Sequence, residues 1–271
     1  MHVVSPRPLP SALDEIDVVA ERIDARPTMV FLDYDGTLTP IVRRPEDAVM
    51  SDEMRDVLRR LAARIPVAIV SGRDRTTVEE LVGVPELIYV GSHGFDVAGP
   101  PGSGLRLEVG SEYLPDLDAA ETALRGRLAE IRGALIERKR LTLAAHYRLV
   151  AGVHRAKVAD AVEAVRAAYP RLRRDRGKAV FELRPDIEWD KGHAVRWVLE
   201  HVAPDAVALY IGDDLTDETA FAALRGRGIG IAVGVRGRET LADMALRDPD
   251  EVGSFLHRLT SLAGAGARHL A

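Results

Sequence analysis

Two apolar stretches of this chain run straight into paired aspartates. Met29, Val30, Phe31 and Leu32 are followed by Asp33, Tyr34, Asp35 and Gly36, and Ala208 to Gly212 by Asp213 and Asp214. Four or five apolar residues bounded by turn signals read as a buried strand. A carboxylate left at the end of such a strand is costly unless something pairs with it. In an open α/β sheet the carboxyl ends of the strands are where ligands bind. The pattern therefore predicts buried strands that deliver acidic groups to one edge of a sheet.

Further apolar strands alternate with amphipathic helices. The sequence predicts a helix over 11–24 with Ser11 as N-cap, a strand at PTMVFLD and a helix from Ser51 at SDEMRDVLRRLAAR. It then predicts a strand at PVAIVSG, a helix at TTVEELVG and a strand at LIYVGSHG. The same alternation returns at KGHAVRWVLEHV, AVALYIGDD, TDETAFAALRG and GIGIAVG. Such alternation implies a parallel sheet covered on both faces. Between the two halves the pattern changes. One helix over 116–137, a strand at RLTLAAHYRLV, a helix at HRAKVADAVEAVRAAY and a hairpin turning near Arg176 and Gly177 predict an inserted α+β unit. The expected organisation is an α/β, Rossmann-like parallel core of residues 1–111 and 185–271, with residues 112–184 as a second domain. The first ten residues, with three prolines, read as a loose arm, and LAGAGARHLA as a frayed tail.

Composition narrows the function classes. The chain has 271 residues, 46% hydrophobic and 29% charged, and a formal net charge of −5. No global basic field attracts nucleic acid or an anionic membrane. The short basic run Arg171, Arg173, Arg174, Arg176 and Lys178 lacks interleaved aromatics and reads as a solvated hairpin. There is no cysteine, which removes disulfides, cysteine nucleophiles and thiolate metal sites. No apolar run approaches the roughly 20 residues of a membrane span. The N-terminus has Pro and acids where a signal peptide needs a basic and then an apolar region, so the expected location is cytoplasmic.

Four stretches carry chemistry. Asp33 and Asp35 suit a turn, and they equally suit a nucleophile beside a proton donor. A carboxylate approaches a phosphate dianion only when charge is neutralised, which calls for a hard cation such as Mg²⁺. Ser71, at the end of the second strand, either caps the next helix, a task Thr76 or Thr77 also suits, or hydrogen-bonds a phosphoryl oxygen. Lys191 opens a helix, where its charge opposes the dipole unless an anion faces it. Asp213, Asp214, Asp217 and Glu218 crowd one strand end; helix capping absorbs one or two of them, and a bound cation accounts for the cluster.

The ordered set, D-x-D-G-T at 33–37, Ser71, an isolated Lys191 and G-D-D-x-x-D at 212–217, resembles the haloacid dehalogenase-like phosphohydrolases. The resemblance implies Asp33 as nucleophile, Asp35 as general acid/base, and Ser71 and Lys191 on the phosphoryl group. It implies Mg²⁺ held by the Asp33 carboxylate, the Asp35 backbone carbonyl and Asp213, with Asp214 and Asp217 behind them. The insert then corresponds to a C2-type cap that closes over the substrate and excludes water.

The stretches LDYDGTLTPI, VSGR, GSHG, HYR and GDDLTDETAF look more finely like trehalose-6-phosphate phosphatases. This implies a phosphorylated disaccharide as substrate, met by Arg73 and by Glu137, Lys139, His146, Arg148 and Glu182 of the cap. It leaves room for functional coupling to a trehalose-6-phosphate synthase. The family usually carries Glu two residues after its HG, where this chain has Asp96. Rival readings are a phosphatase of glucosyl- or mannosyl-3-phosphoglycerate or of sucrose phosphate, and a regulatory pseudophosphatase, which would not need to keep Asp33 or Lys191.

Overall fold

The computed structural model describes residues 9–23, 26–42, 44–177, 179–235 and 239–266. Residues 1–8 of the predicted arm, Asp24, Lys178 and the last five residues of the predicted tail lie outside the described residues. The chain forms two compact units. One holds the described residues up to Leu107 and from Trp189 onward; the other is Glu108–Glu188, four residues wider at each end than the sequence pattern suggested.

The first unit is built on an eight-stranded sheet. Its strands are β1 (Thr28–Leu32), β2 (Val67–Val70), β3 (Ile88–Gly91), β4 (Asp96–Ala98), β5 (Arg106–Glu108), β10 (Val207–Gly212), β11 (Gly228–Val233) and β12 (Met244–Leu246). They lie in the order β12-β11-β10-β1-β2-β3-β4-β5. The strands from β12 to β3 pair in parallel, and β4 turns back antiparallel on β3. From β1 the chain moves outward to β2 and β3, then returns on the other side of β1 as β10. The sheet therefore reverses its winding between β1 and β10, where open α/β sheets bind ligands.

Alternation along each strand fills both faces. Val30, Leu32, Ile69, Leu209 and Ile211 pack with α1 (Ile16–Ile23), α2 (Asp52–Ala62), α3 (Arg75–Val82) and α8 (Pro249–Gly266). Met29, Phe31, Val70, Ala208 and Tyr210 pack with α6 (Lys191–Val202) and α7 (Glu218–Leu224). Every residue of β1, β2 and β10 is buried, so these strands read as continuous apolar runs, as parallel strands covered on both faces do.

The second unit has a four-stranded antiparallel sheet in the order β6-β7-β9-β8. Its strands are β6 (Leu135–Arg138), β7 (Leu143–His146), β8 (Leu172–Gly177) and β9 (Val180–Pro185), with helices α4 (Leu114–Leu128) and α5 (Arg155–Ala168). Arg138 of β6 reaches Asp118 of α4 at 2.9 Å, and Arg174 of β8 reaches Glu163 of α5 at 3.2 Å. These contacts identify the helix-facing side of the sheet, which also buries Leu143, Phe181 and Leu183.

Several sequence expectations change. Residues 116–137 are not one helix: α4 ends at Leu128, Gly133 takes φ +90°, and 135–138 form β6. Apolar Leu135 and Ile136 fit either period, and only pairing with β7 decides for a strand. Ser11 does not cap α1, which begins at Ile16; its hydroxyl accepts from Asp14 N within a turn. Ser51 does cap α2, accepting from Met54 N at 3.1 Å. The segment read as tail is helical through Gly266.

Gly91 closes β3 against the start of α3, and a Cβ there would overlap the Arg75 backbone. Gly91→Ala should destabilise the protein by about 1–3 kcal/mol, the range of overpacking in a dense interior, read as a lower urea midpoint. An unchanged midpoint would mean that β3 and α3 separate freely.

Candidate active site

Asp33 is the first residue past β1, with its N–H donating to Ile211 O at 2.9 Å. The β1–β10 register sets Leu32 opposite Ile211, so Asp33 and Asp213 emerge from neighbouring strands at the same edge. Gly36, at φ +83°, allows this approach, because a Cβ there would overlap the Asp213 carboxylate. Asp33 is 4% exposed. Burial pushes its pKa well above the ordinary carboxylate range, Lys191 draws it back, and the Asp217 and Asp213 charges add to the rise.

Lys191 is the first residue of α6, behind the N-cap Asp190. Its ammonium is buried and donates to Asp33 Oδ1 at 2.8 Å and to Asp217 Oδ1 at 2.7 Å. Burial works against this charge, but the two carboxylates outweigh it and raise the lysine's pKa. The helix-start lysine thus does face anions. They belong to the protein itself.

The acidic cluster resolves into separate tasks. Asp214 accepts from Leu215 N and forms a capping box with Asp217. Asp217 takes Lys191 and the Tyr210 hydroxyl on Oδ1, and Asp214 N on Oδ2. Glu218 accepts from Leu241 N at 2.7 Å. Asp213 remains beside Asp33. Burial, then Asp217 and Asp214, push its pKa up to about 7.

Ligand oxygens of Asp33, Asp213 and Asp217 lie within 4.8 Å of one another. An all-oxygen, carboxylate-rich set suits Mg²⁺. Asp217 already meets three protein donors, so the residues that fit a cation best are Asp33 and Asp213.

Asp35 does not contact Lys191. Arg73 holds its carboxylate in a fork, Nε to Oδ2 at 2.8 Å and Nη2 to Oδ1 at 2.6 Å. That bonding, ahead of the cost of burial, raises the Arg73 pKa. The guanidinium also lies over the Tyr34 ring at 5.4 Å. The predicted substrate group Arg73 therefore directs two of its donors to Asp35.

Ser71 stands at the end of β2, one strand from Asp33, and is 1% exposed. It does not cap α3, and neither does Thr76 or Thr77: the N-cap position is Asp74. Ser71 Oγ instead accepts from Arg73 N at 3.1 Å inside the turn. GSHG supports that turn. Ser92 N donates to Arg73 O at 2.7 Å and His93 N to Ser71 O at 3.0 Å, with Ser92 and His93 in the left-handed region at φ 51° and 58°. Two adjacent non-glycine residues there cost about 1–3 kcal/mol each, which the surrounding hydrogen bonds offset. Asp96, buried, is bound by Arg75 and Arg106 and ties α3 to β4.

In the second unit, pairing sets Glu137, Ala144, Glu182 and Asp175 in one row across the four strands, on the face away from the helices. His146 shares that face, and its Nε2 lies 2.9 Å from Glu137 Oε2. Lys139 follows β6 and closes a turn through its N–H to Thr142 O at 2.9 Å. Arg148 is exposed in the turn after β7. Sequence reasoning did not single out Tyr210, since a tyrosine inside an apolar strand carries no mark of a functional contact.

A family model described as trehalose-phosphatase matches residues 31–250. The chain belongs to the trehalose-phosphatase family. It is 43% identical to the probable trehalose-phosphate phosphatase 9 of Oryza sativa subsp. japonica over 283 aligned positions, covering 94% of this chain and 76% of that one. It is 40% identical to the trehalose 6-phosphate phosphatase RA3 of Zea mays, again covering 94% and 76%. The solved Aspergillus fumigatus trehalose-6-phosphate phosphatase superposes with a TM-score of 0.68 at 29% identity, over 94% of this chain and 99% of that one. A haloacid dehalogenase-like hydrolase from Bacteroides thetaiotaomicron, at 16% identity and a TM-score of 0.62, shares the fold. The α/β, haloacid dehalogenase-like fold expected from the sequence is the fold of this chain.

With its pKa pushed up to about 7 by burial and the Asp217 and Asp214 charges, Asp213 holds a proton to higher pH than an ordinary carboxylate does. A cation needs the ionised carboxylate, so protons compete with it below that pKa and not above. Saturating Mg²⁺ should then raise the melting temperature more at about pH 8 than at about pH 6. Asp213→Asn should remove most of the difference. Equal shifts at both pH values would take Asp213 out of the metal site.

Proposed function

We propose that this chain is a Mg²⁺-dependent phosphatase that hydrolyses trehalose 6-phosphate through an aspartyl-phosphate intermediate. The observation that carries the reading is a buried Asp33 gripped by Lys191, beside Asp213, at the winding reversal of the sheet. Family membership and relatives that bear the name trehalose-phosphate phosphatase support the substrate. Among the described residues no helix is long and apolar enough to cross a membrane, as suits a water-soluble substrate.

Lys191 fixes Asp33 Oδ1, and the other carboxylate oxygen attacks phosphorus. The bond from phosphorus to the sugar oxygen breaks, and Asp35 supplies the proton that the leaving oxygen takes up. Water then attacks the acyl phosphate while Asp35 accepts its proton, and phosphate leaves with Asp33 regenerated. The Arg73 fork fixes where the Asp35 carboxyl group points for both transfers. Ser71 and the backbone N–H groups of its turn hydrogen-bond phosphoryl oxygens. Asp33, Asp213 and the Asp35 carbonyl would hold Mg²⁺, which would supply charge neutralisation for the transferring group. Asp214 and Asp217 act behind these groups, as cap and as partner of Lys191.

These residues are assigned to the phosphoryl group and the metal, so sugar choice falls to the second unit, read as a cap. Glu137, Lys139, His146, Arg148 and Glu182 are its candidates. Coupling to a trehalose-6-phosphate synthase stays within this reading, as does a cytoplasmic location.

Asp33→Asn should fold and lose turnover by several orders of magnitude, because the covalent path is gone. Substantial residual turnover, after exclusion of deamidation, would end the mechanism. Excess chelator should abolish phosphate release and Mg²⁺ should restore it.

The sugar assignment has its own test. Glu137→Ala and Lys139→Ala should each lower kcat/KM for trehalose 6-phosphate by about 1–3 kcal/mol of transition-state stabilisation. The loss on p-nitrophenyl phosphate, which has no sugar, should be much smaller. Equal losses on both substrates would remove these residues from sugar recognition. A wild type that prefers glucosyl-3-phosphoglycerate or sucrose phosphate would move the substrate and leave the phosphate chemistry standing.

A further inference from the structure

Tyr210 lies in β10, buried on the side of the sheet covered by α6 and α7. A tyrosine in such a strand packs by its ring and normally finds a partner for its hydroxyl. Here the partner belongs to the site. The hydroxyl donates to Asp217 Oδ1 at 2.6 Å. The same oxygen accepts from Lys191 Nζ at 2.7 Å, and Lys191 donates onward to Asp33 Oδ1 at 2.8 Å. Asp217 is 0% exposed, so bulk water cannot replace a lost donor. Phe221 meets the Tyr210 ring edge-on, with centroids 5.6 Å apart and planes at 88°.

We propose that Tyr210 is a positioning residue for Lys191, acting through Asp217. Its hydroxyl takes a share of the charge on Asp217 Oδ1 and leaves the ammonium centred between Asp217 and Asp33. The inference rests on the reading of Lys191 as a phosphoryl-binding group. An ammonium is a compact charge with three donors on a flexible stem. Two donors go to Asp217 and Asp33, and the third serves the phosphoryl oxygen. Without the hydroxyl, Asp217 Oδ1 keeps a single donor in a sealed space, and Lys191 shifts toward it. That shift draws the ammonium away from Asp33 and the phosphoryl group. Phosphoryl transfer tolerates such a shift badly, because its catalysis is mostly positioning and charge stabilisation.

The test compares Tyr210→Phe in the wild type and in a Lys191→Met background, with Mg²⁺ present. Inorganic phosphate affinity is read by calorimetry, p-nitrophenyl phosphate turnover by kcat, and folding by melting temperature. In the wild type, Tyr210→Phe should weaken phosphate binding and lower kcat by about tenfold, the scale of a lost hydrogen bond to a charged group. In Lys191→Met it should change phosphate affinity by less than about twofold, since the route through the ammonium is gone. Phe221→Leu is the packing control. It loosens the ring and should lower the melting temperature while changing phosphate affinity far less than Tyr210→Phe. Full affinity and rate in Tyr210→Phe would overturn the proposal. So would equal losses in both backgrounds, or a Phe221→Leu loss as large as that of Tyr210→Phe; should Tyr210→Phe not fold, a Phe221→Leu loss of about tenfold in phosphate affinity overturns the proposal instead. A wild type that hydrolyses no phosphate monoester would sink the proposed function itself. Normal wild-type turnover without the coupling pattern sinks only the role of Tyr210.

Discussion

The Lys191 ammonium, buried between Asp33 and Asp217, is the interaction on which the rest of the site depends. Removing either partner would strand a charge in a space that water does not reach, a loss of about 3–5 kcal/mol for a buried pair. The pair fixes more than charge. It joins the end of β1, the first turn of α6 and the segment leading into α7, three elements far apart in sequence. A lysine at a helix start works against the helix dipole, and two carboxylates make that placement favourable. The balance is still incomplete: three clustered carboxylates face one ammonium, and burial first, then that surplus, raises the pKa values of Asp33 and Asp213. A divalent cation is the simplest group that removes it.

The sheet explains why these residues meet. Parallel strands send their carboxyl ends to one edge, and the return of the chain as β10 beside β1 puts two such ends side by side. Register does the fine placement, since the pairing of Leu32 with Ile211 sets Asp33 level with Gly212, and Asp213 follows one residue beyond. Small residues do the rest. Gly36 gives the Asp213 carboxylate room, and Gly91 lets β3 approach α3 so that GSHG can support the turn carrying Ser71 and Arg73. The left-handed Ser92 and His93 show that this support is held at some cost in backbone energy.

Much of this was legible in the sequence, and what was not has physical causes. An apolar run ending in Asp33 or Asp213 is a local signal, as is Ser51 before α2, and both describe the structure. Lys191 was legible because its charge conflicts with its position. The Arg73–Asp35 fork joins residues 38 apart in sequence and depends on strand order, which no local pattern encodes. Tyr210 was silent because its apolar ring suits a buried strand and its hydroxyl is used only where the third dimension brings Asp217 close. Strand β6 was missed because Leu135 and Ile136 satisfy helical and strand periods alike until β7 pairs with them.

Under the proposed function, phosphate chemistry and sugar choice divide along the same line as the two units. Lys191, Asp33 and Asp213 can recognise only what every phosphate monoester shares, so selectivity has to come from groups that reach hydroxyls. The second unit's sheet offers them on one face. Glu137 and Glu182 occupy the same cross-strand row with Ala144 between them. Strands lie about 4.8 Å apart, so the two carboxylates flank a floor two strand spacings wide, with no long side chain in the middle. A flat, small-residue floor between two hydrogen-bonding acids suits a ring bearing hydroxyls on its rim, because acids can accept from several hydroxyls at once. The contact of His146 with Glu137 limits the rotamers of that acid before any ligand arrives, which reduces the entropy lost on binding. Sheet faces hold such groups more rigidly than loops do. A sugar site on β6, β7 and β9, as proposed, would therefore discriminate by geometry, while the proposed phosphate site would offer the same chemistry to any phosphate monoester.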